Sequence, residues 1–413
     1  MKVPRVALPL ACLTIAGCLA VTGSAAALKL CVPKKENAAM LTPKAGKCRH
    51  GYGLMSLGAK GNTGPQGQFG AEGKTGAEGK PGATGPEGKV GGTGPGGESG
   101  LSNSEVETLK AILPFVKFVS SGVGGKPTVQ FSGVNVQVVN GLGKTETTNG
   151  AGNLVVGYDE TANKQVQTGS HDLVVGSEQT FTSYGGLLAG QFNTISAPFA
   201  TVAGGVANIA SGESSTVSGG EENSAAGESS AISGGEANHT EGLDSSVSGG
   251  FENFAVNVDA WVGGGDEDEA SGETASVSGG TKNLASGETA SISGGTDNTA
   301  SGHNASISGG RLNAATMNAS WVGGGELDKA EGEFASVTGG QENKATALTS
   351  SVSGGTLNTA SGFSSSISGG RENAASAFGA SISGGILNTA SGEEAWVGGG
   401  EHKTASKLRE DVP

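Results

Sequence analysis

From residue 201 onward one apolar position returns at a fixed interval. A Val or Ile stands three places before the second glycine of a Gly-Gly pair, flanked mostly by serine, and the pairs recur from 204–205 to 399–400 in fourteen copies fifteen residues apart. Alternation around one apolar residue describes a short strand with one buried face. An unbroken period describes a solenoid, each coil covering the next. A representative unit, SVSGGTKNLASGETA, runs from Ser276 to Ala290.

Other positions of the unit have equally plain tasks. Three residues after the pair comes Asn in eleven copies, Asn208, Asn283 and Asn388 among them, and Asp in two, Asp268 and Asp328. Asn accepts left-handed backbone, bonds its own turn and can form a ladder between stacked coils. Five after the pair comes Ala in thirteen copies, Thr240 being the exception, and another small residue follows five later. The interior is therefore narrow. Less regular leading coils are expected over 129–200, with NLVVG at 153–157, DLVVG at 172–176 and GLLAG at 186–190, before the regular coils of 201–405 and a tail of 406–413.

Upstream the period changes from fifteen to three. Glycine occupies every third position over 58–100, fifteen glycines in register. Only glycine fits the axis of a collagen triple helix, so this period predicts a stalk of three chains, on the order of 130 Å long at about 3.1 Å per residue. Lysines and glutamates interspersed in it suit interchain charge pairs. In the neck, 101–128, Ser104 with Glu107 reads as a capping box, and Val106, Leu109, Leu113 and Val116 as the seam of a short coiled coil that Pro114 limits to about 105–113. One buried Val or Ile per fifteen ordered residues is little apolar burial. Three solenoids held side by side by the stalk are expected to cover one another. The fold class is thus mainly β: a trimeric parallel β-roll of fifteen-residue repeats, preceded by a collagen triple helix and a short helical neck.

At the other extreme of the chain Lys2 and Arg5 precede an apolar run, Val6 to Val21, and Ser24-Ala25-Ala26-Ala27 supplies small residues, which together read as a signal peptide over 1–27. Ile15-Ala16-Gly17-Cys18 also resembles a lipoprotein box, in which Cys18 would be acylated as an N-terminal lipid anchor. No further stretch could span a membrane. Either cleavage leaves Cys31 and Cys48 to close a disulfide in a small module, 28–57, and two thiols with one nearby histidine, His50, make a poor metal site.

Composition narrows the function. A formal charge of −14 disfavours nucleic acid and anionic lipid as partners. The five histidines, His50, His171, His239, His303 and His402, share no repeated position with a nucleophile or carboxylate, so neither catalysis nor a cofactor is expected. The acidic run GGGDEDEASGE at 263–273 reads as a solvated turn. Trp261, Trp321 and Trp396 replace the first serine of their units, either packing over Gly263, Gly323 and Gly398 or offering ligand platforms. Columns of serine hydroxyls raise ice binding. Sequons at Asn238, Asn304 and Asn318 read as by-products of the repeat.

The units SVSGG, SISGG and WVGGG, each followed by a turn Asn, resemble the heads of bacterial trimeric autotransporter adhesins over about 130–405, and 58–100 resembles bacterial surface collagens. The resemblance implies a left-handed parallel β-roll in a homotrimer that is secreted or displayed at a bacterial cell surface and binds a host or matrix protein or glycan. That family carries a C-terminal outer-membrane barrel, whereas this chain ends KLREDVP. Attachment is therefore expected at the N-terminal side, through Cys18 or the Cys31–Cys48 module.

Overall fold

The computed structural model describes residues 28–33, 47, 48, 50, 52–57, 102–161 and 165–413. The expected signal peptide, Cys18 as the expected lipidation site and the Gly-x-y segment expected to form a stalk lie outside them. Two compact units divide the chain, Met1–Asn135 and Val136–Pro413.

In the first unit Leu28–Pro33 pairs antiparallel with Tyr52–Leu57, Cys31 standing opposite Leu54. Cys48 is disulfide-bonded. A helix spans Asn103–Ile112, but its cap lies two residues before the expected one: Ser102, in extended backbone, accepts from the Glu105 N–H, and Glu105 reaches back to the Ser102 N–H at 2.6 Å. Glu107 instead pairs with Lys110 at 2.8 Å, so Ser104–Glu107 is not the capping box. Pro114 ends the helix in a single 3-10 turn, Leu113–Phe115, as a ring that lacks a donor must. Val116, expected on the helical seam, begins a strand instead. Val116–Val119 and Thr128–Phe131 form an antiparallel hairpin.

The second unit is a parallel β-solenoid with three ladders. One contains eighteen strands, from Leu154–Val156 to Asp411–Val412, and a second contains sixteen, from Thr180–Phe181 to Thr404–Ala405. The third consists of single bridges running from Gln191 through Thr281 to Glu401. Leading coils are uneven: Leu154 pairs with Leu173, Leu173 with Leu187 and Leu187 with Thr201, steps of 19, 14 and 14 residues, before Thr201 pairs with Thr216 and the step settles at 15.

Within the coil Ser276–Ala290 the buried positions are Val277, Asn283, Ala285, Gly287 and Ala290. Backbone N–H groups of Ser276, Ser278, Thr281, Leu284 and Ser286 donate forward to the carbonyls of Ala290, Ile292, Gly295, Asn298 and Ala300, at 2.8–2.9 Å. Lys282 and Thr289 donate backward, to Asp266 and Glu273 of the preceding coil, at 2.9 and 2.8 Å. Both adopt left-handed backbone, φ 56°. That conformation turns the N–H against the direction of the rest. The left-handed residue is thus the one before each Asn rather than the Asn itself, and its type is free: Lys282, Leu312 and Glu342 all occupy it. Glycine is required at the second residue of each pair, where a neighbouring coil comes close and the backbone is left-handed: a Cβ on Gly280, φ +119°, would stand 2.3 Å from the Gly295 carbonyl oxygen.

Candidate functional site

Because Val277 points inward, Ser276 and Ser278 point outward on the same face, and the corresponding residues of fourteen coils form one strip two columns wide. From Thr201 to Gly398 its 28 positions hold 20 hydroxyl side chains, three tryptophans, three glycines and two alanines, with no ionisable residue. The outward columns through Thr281, Lys282, Leu284, Ser286, Glu288 and Thr289 all carry charged residues in some coils.

The three tryptophans sit in this strip, at the first position of their strands, 38%, 36% and 39% exposed for Trp261, Trp321 and Trp396. Glycine occurs at the second outward position only in these coils, as Gly263, Gly323 and Gly398. The geometry explains the pairing. A Cβ on Gly263 or Gly323 would lie 2.9 Å from Cη2 of the indole two residues earlier, and Gly398 repeats the contact at 2.9 Å. Each indole therefore lies down on its own glycine instead of standing off the strip. The Trp396 Nε1–H donates to Ser383 Oγ of the preceding coil at 3.0 Å. Its polar edge is thus satisfied by the protein.

Beneath the strip runs the Asn ladder. Asn298 Nδ2 donates to Asn283 Oδ1 at 3.0 Å, to the Gly294 carbonyl at 3.1 Å and to that of Gly310 at 3.0 Å, while Asn298 Oδ1 accepts from the Asn313 N–H at 3.0 Å. The three tryptophan coils are also the three without Asn at this position: they hold Asp268, Asp328 and Lys403. No contact of the indoles explains that coincidence. Asp268 Oδ1 accepts from the Asn283 N–H and Nδ2 at 2.8 and 2.9 Å, but its Oδ2 has no partner, and Asp328 repeats the arrangement. By register each Oδ2 occupies the place of an Asn Nδ2, facing carbonyl oxygens. Burial raises both carboxyls above the ordinary range. In the acidic run 263–273, then, Asp266 and Glu267 are exposed as expected, but Asp268 is fully buried.

Other singled-out residues scatter. His171 lies in the first coils, its Nε2 accepting from the Asn140 N–H at 3.1 Å and its Nδ1 facing the Thr145 carbonyl at 3.1 Å. His239 stacks on Phe254, and His303 and His402 lie beside Glu288 and Glu401 at 3.6 Å. Asp172 projects into the coil, accepting from the Gly186 N–H at 2.8 Å, and burial pushes its carboxyl up to about 6. Of the sequons, Asn238 is buried in the ladder, Asn318 is half-buried and Asn304 is exposed. Among the described residues no group of three His, Cys, Asp or Glu side chains could hold a metal ion. No described helix is long and apolar enough to cross a membrane. No protein-family model matches the chain, and no curated protein matches it in sequence.

Proposed function

We propose that this is a secreted or surface-attached, trimeric, non-enzymatic structural protein with adhesin-like binding, in which the Gly-x-y segment 58–100 presents the solenoid as a head to cells, matrix or glycans. The observation that carries this reading is the coil-to-coil register from Thr201 to Val412, which makes a rigid surface of repeated side-chain columns. Such a surface suits a partner met over a length, not a small substrate held in a cleft. Trimerisation rests on the Gly-x-y period, and it finds support in an apolar column of adjacent coils, Leu348, Phe363 and Phe378, 38%, 44% and 48% exposed, with Phe334 beside it. Phe363 and Phe378 stack at 5.3 Å between ring centres. A bacterial source and N-terminal attachment through Cys18 or the Cys31–Cys48 module belong to the same reading.

Light scattering on the full chain tests the assembly: three chains per particle is the expected result, and a monomer with an intact Gly-x-y segment sinks the proposal. Binding to immobilised matrix proteins and glycans tests the role. The serine columns support a second reading, an ice- or carbohydrate-binding solenoid without an adhesion role. Absence of thermal hysteresis would remove its ice-binding form.

A further inference from the structure

Resting on the reading of the solenoid as a binding head, we infer that the Ser–Trp strip binds an uncharged polysaccharide laid lengthwise along the solenoid axis. Charge argues first. In a chain with 39 acidic and 25 basic residues, a strip of 28 outward positions without one ionisable group, roughly 65 Å long at about 4.8 Å per coil, offers nothing to an anionic or cationic polymer. It offers hydroxyls throughout and three indole faces. Trp261 and Trp321 are four coils apart and Trp321 and Trp396 five, about 19 and 24 Å along the axis. Pyranose rings present the matching chemistry, hydroxyl edges with apolar C–H faces that stack on flat aromatic rings, and a linear polymer supplies them at intervals along one line.

The setting of the indoles points the same way. Each lies on a glycine that stands nowhere else in its column, so the ring enters the strip without a step in its surface. Each tryptophan keeps more than a third of its surface exposed beside a serine one coil away, Ser246, Ser336 or Ser381, with Asp411 on the other side of Trp396. Packing against a second copy of the chain fits this strip less well. Twenty hydroxyls buried in a dry interface would each need a partner, and no large aliphatic side chain occurs in either column. The Leu348–Phe363–Phe378 column is the better seat for a copy.

The test is electrophoresis of the full chain through native gels containing hydroxyethylcellulose, galactomannan or laminarin, with polygalacturonate as the charged comparison. Retardation by at least one neutral glycan, insensitive to added salt, is expected. Replacing all three tryptophans (Trp261→Ala, Trp321→Ala, Trp396→Ala) should weaken it by tenfold or more, on the order expected for losing stacked aromatic contacts. A second variant, Ser293→Lys with Ser353→Lys, keeps every tryptophan and charges the exposed column between them; it should lose retardation while mass and circular dichroism stay unchanged. No retardation by any neutral glycan, or retardation that survives both variants, overturns the inference. So does a tryptophan variant that folds but changes the number of chains per particle, since the strip would then be an interface between copies. A full chain that remains trimeric and holds matrix proteins while passing every glycan gel freely fails this inference alone. A monomer fails the reading beneath it.

Discussion

Asp268 and Asp328 are the residues at which the repeat departs most from its own chemistry. Their Asn counterparts donate to two carbonyls, whereas a carboxylate Oδ2 in that place meets oxygen with oxygen. Burial disfavours the charged form, and a proton also relieves the conflict, so their folded-state pKa values are raised. A raised folded-state pKa means that the fold favours the protonated form, so the stability linked to these carboxyls is full in acid and declines as pH rises through the folded value. For Asp172 the decline spans its ordinary value near 4 up to about 6. Asp268→Asn and Asp328→Asn are each expected to raise stability at pH 7 by about 1–3 kcal/mol. In denaturant titrations that gain should shrink towards zero below pH 4; a gain independent of pH would refute the account. Ser215 and Ser365 Oγ are likewise buried without partners at a position that other coils fill with Ala275 or Ala290. Ser215→Ala and Ser365→Ala should therefore each stabilise by about 1 kcal/mol, measured as a rise in denaturation midpoint.

At the scale of elements, the ladder is continuous hydrogen bonding through the core, so a break in it costs more than one contact. Asn298→Ala would strand the Gly294 carbonyl and the Asn313 N–H, while Asn283 Oδ1 and the Gly310 carbonyl would each lose one of two donors and keep the Asn298 and Thr296 N–H groups, and a loss of about 3 kcal/mol is expected from equilibrium unfolding. Much of this element was legible beforehand. Spacing of Val277-like residues gave the inward column, and Asn three places after the glycine pair gave the ladder. The left-handed residues are not legible in the sequence because no propensity marks them: Lys282, Leu312 and Phe334 are held at φ 55–56° by bonds to the preceding coil that only stacking creates. Ser102 is hidden for a related reason, since Ser102 and Ser104 are equally good caps on paper and only the reach of Glu105 decides. The strip was half visible. Trp and Gly co-occur in the sequence, but the absence of charge is a property of columns that fourteen stacked coils create.

For the whole molecule, fifteen-residue register makes stability a sum of neighbour terms. Deleting the full coil Ser276–Ala290 would bring Ala275 to Ser291, and every ladder would find an equivalent partner. That deletion is expected to leave circular dichroism per residue unchanged, whereas removing only Ser276–Leu284 should abolish cooperative melting, since it sets inward residues outward. The forward direction of the coil-to-coil bonds has one more consequence. Most backbone dipoles along the solenoid point the same way, so it has electrical polarity. In the coil of Asp411, Glu410 Oε2 accepts from the Ser406 and Lys407 N–H groups at 2.5 and 2.9 Å, bonds that in the coil before are made to the Ala405 carbonyl, and they hold its carboxyl below the usual range. A side-chain carboxylate thus accepts what a backbone carbonyl accepts elsewhere, and it is favoured there because the aligned N–H groups present their positive side to it.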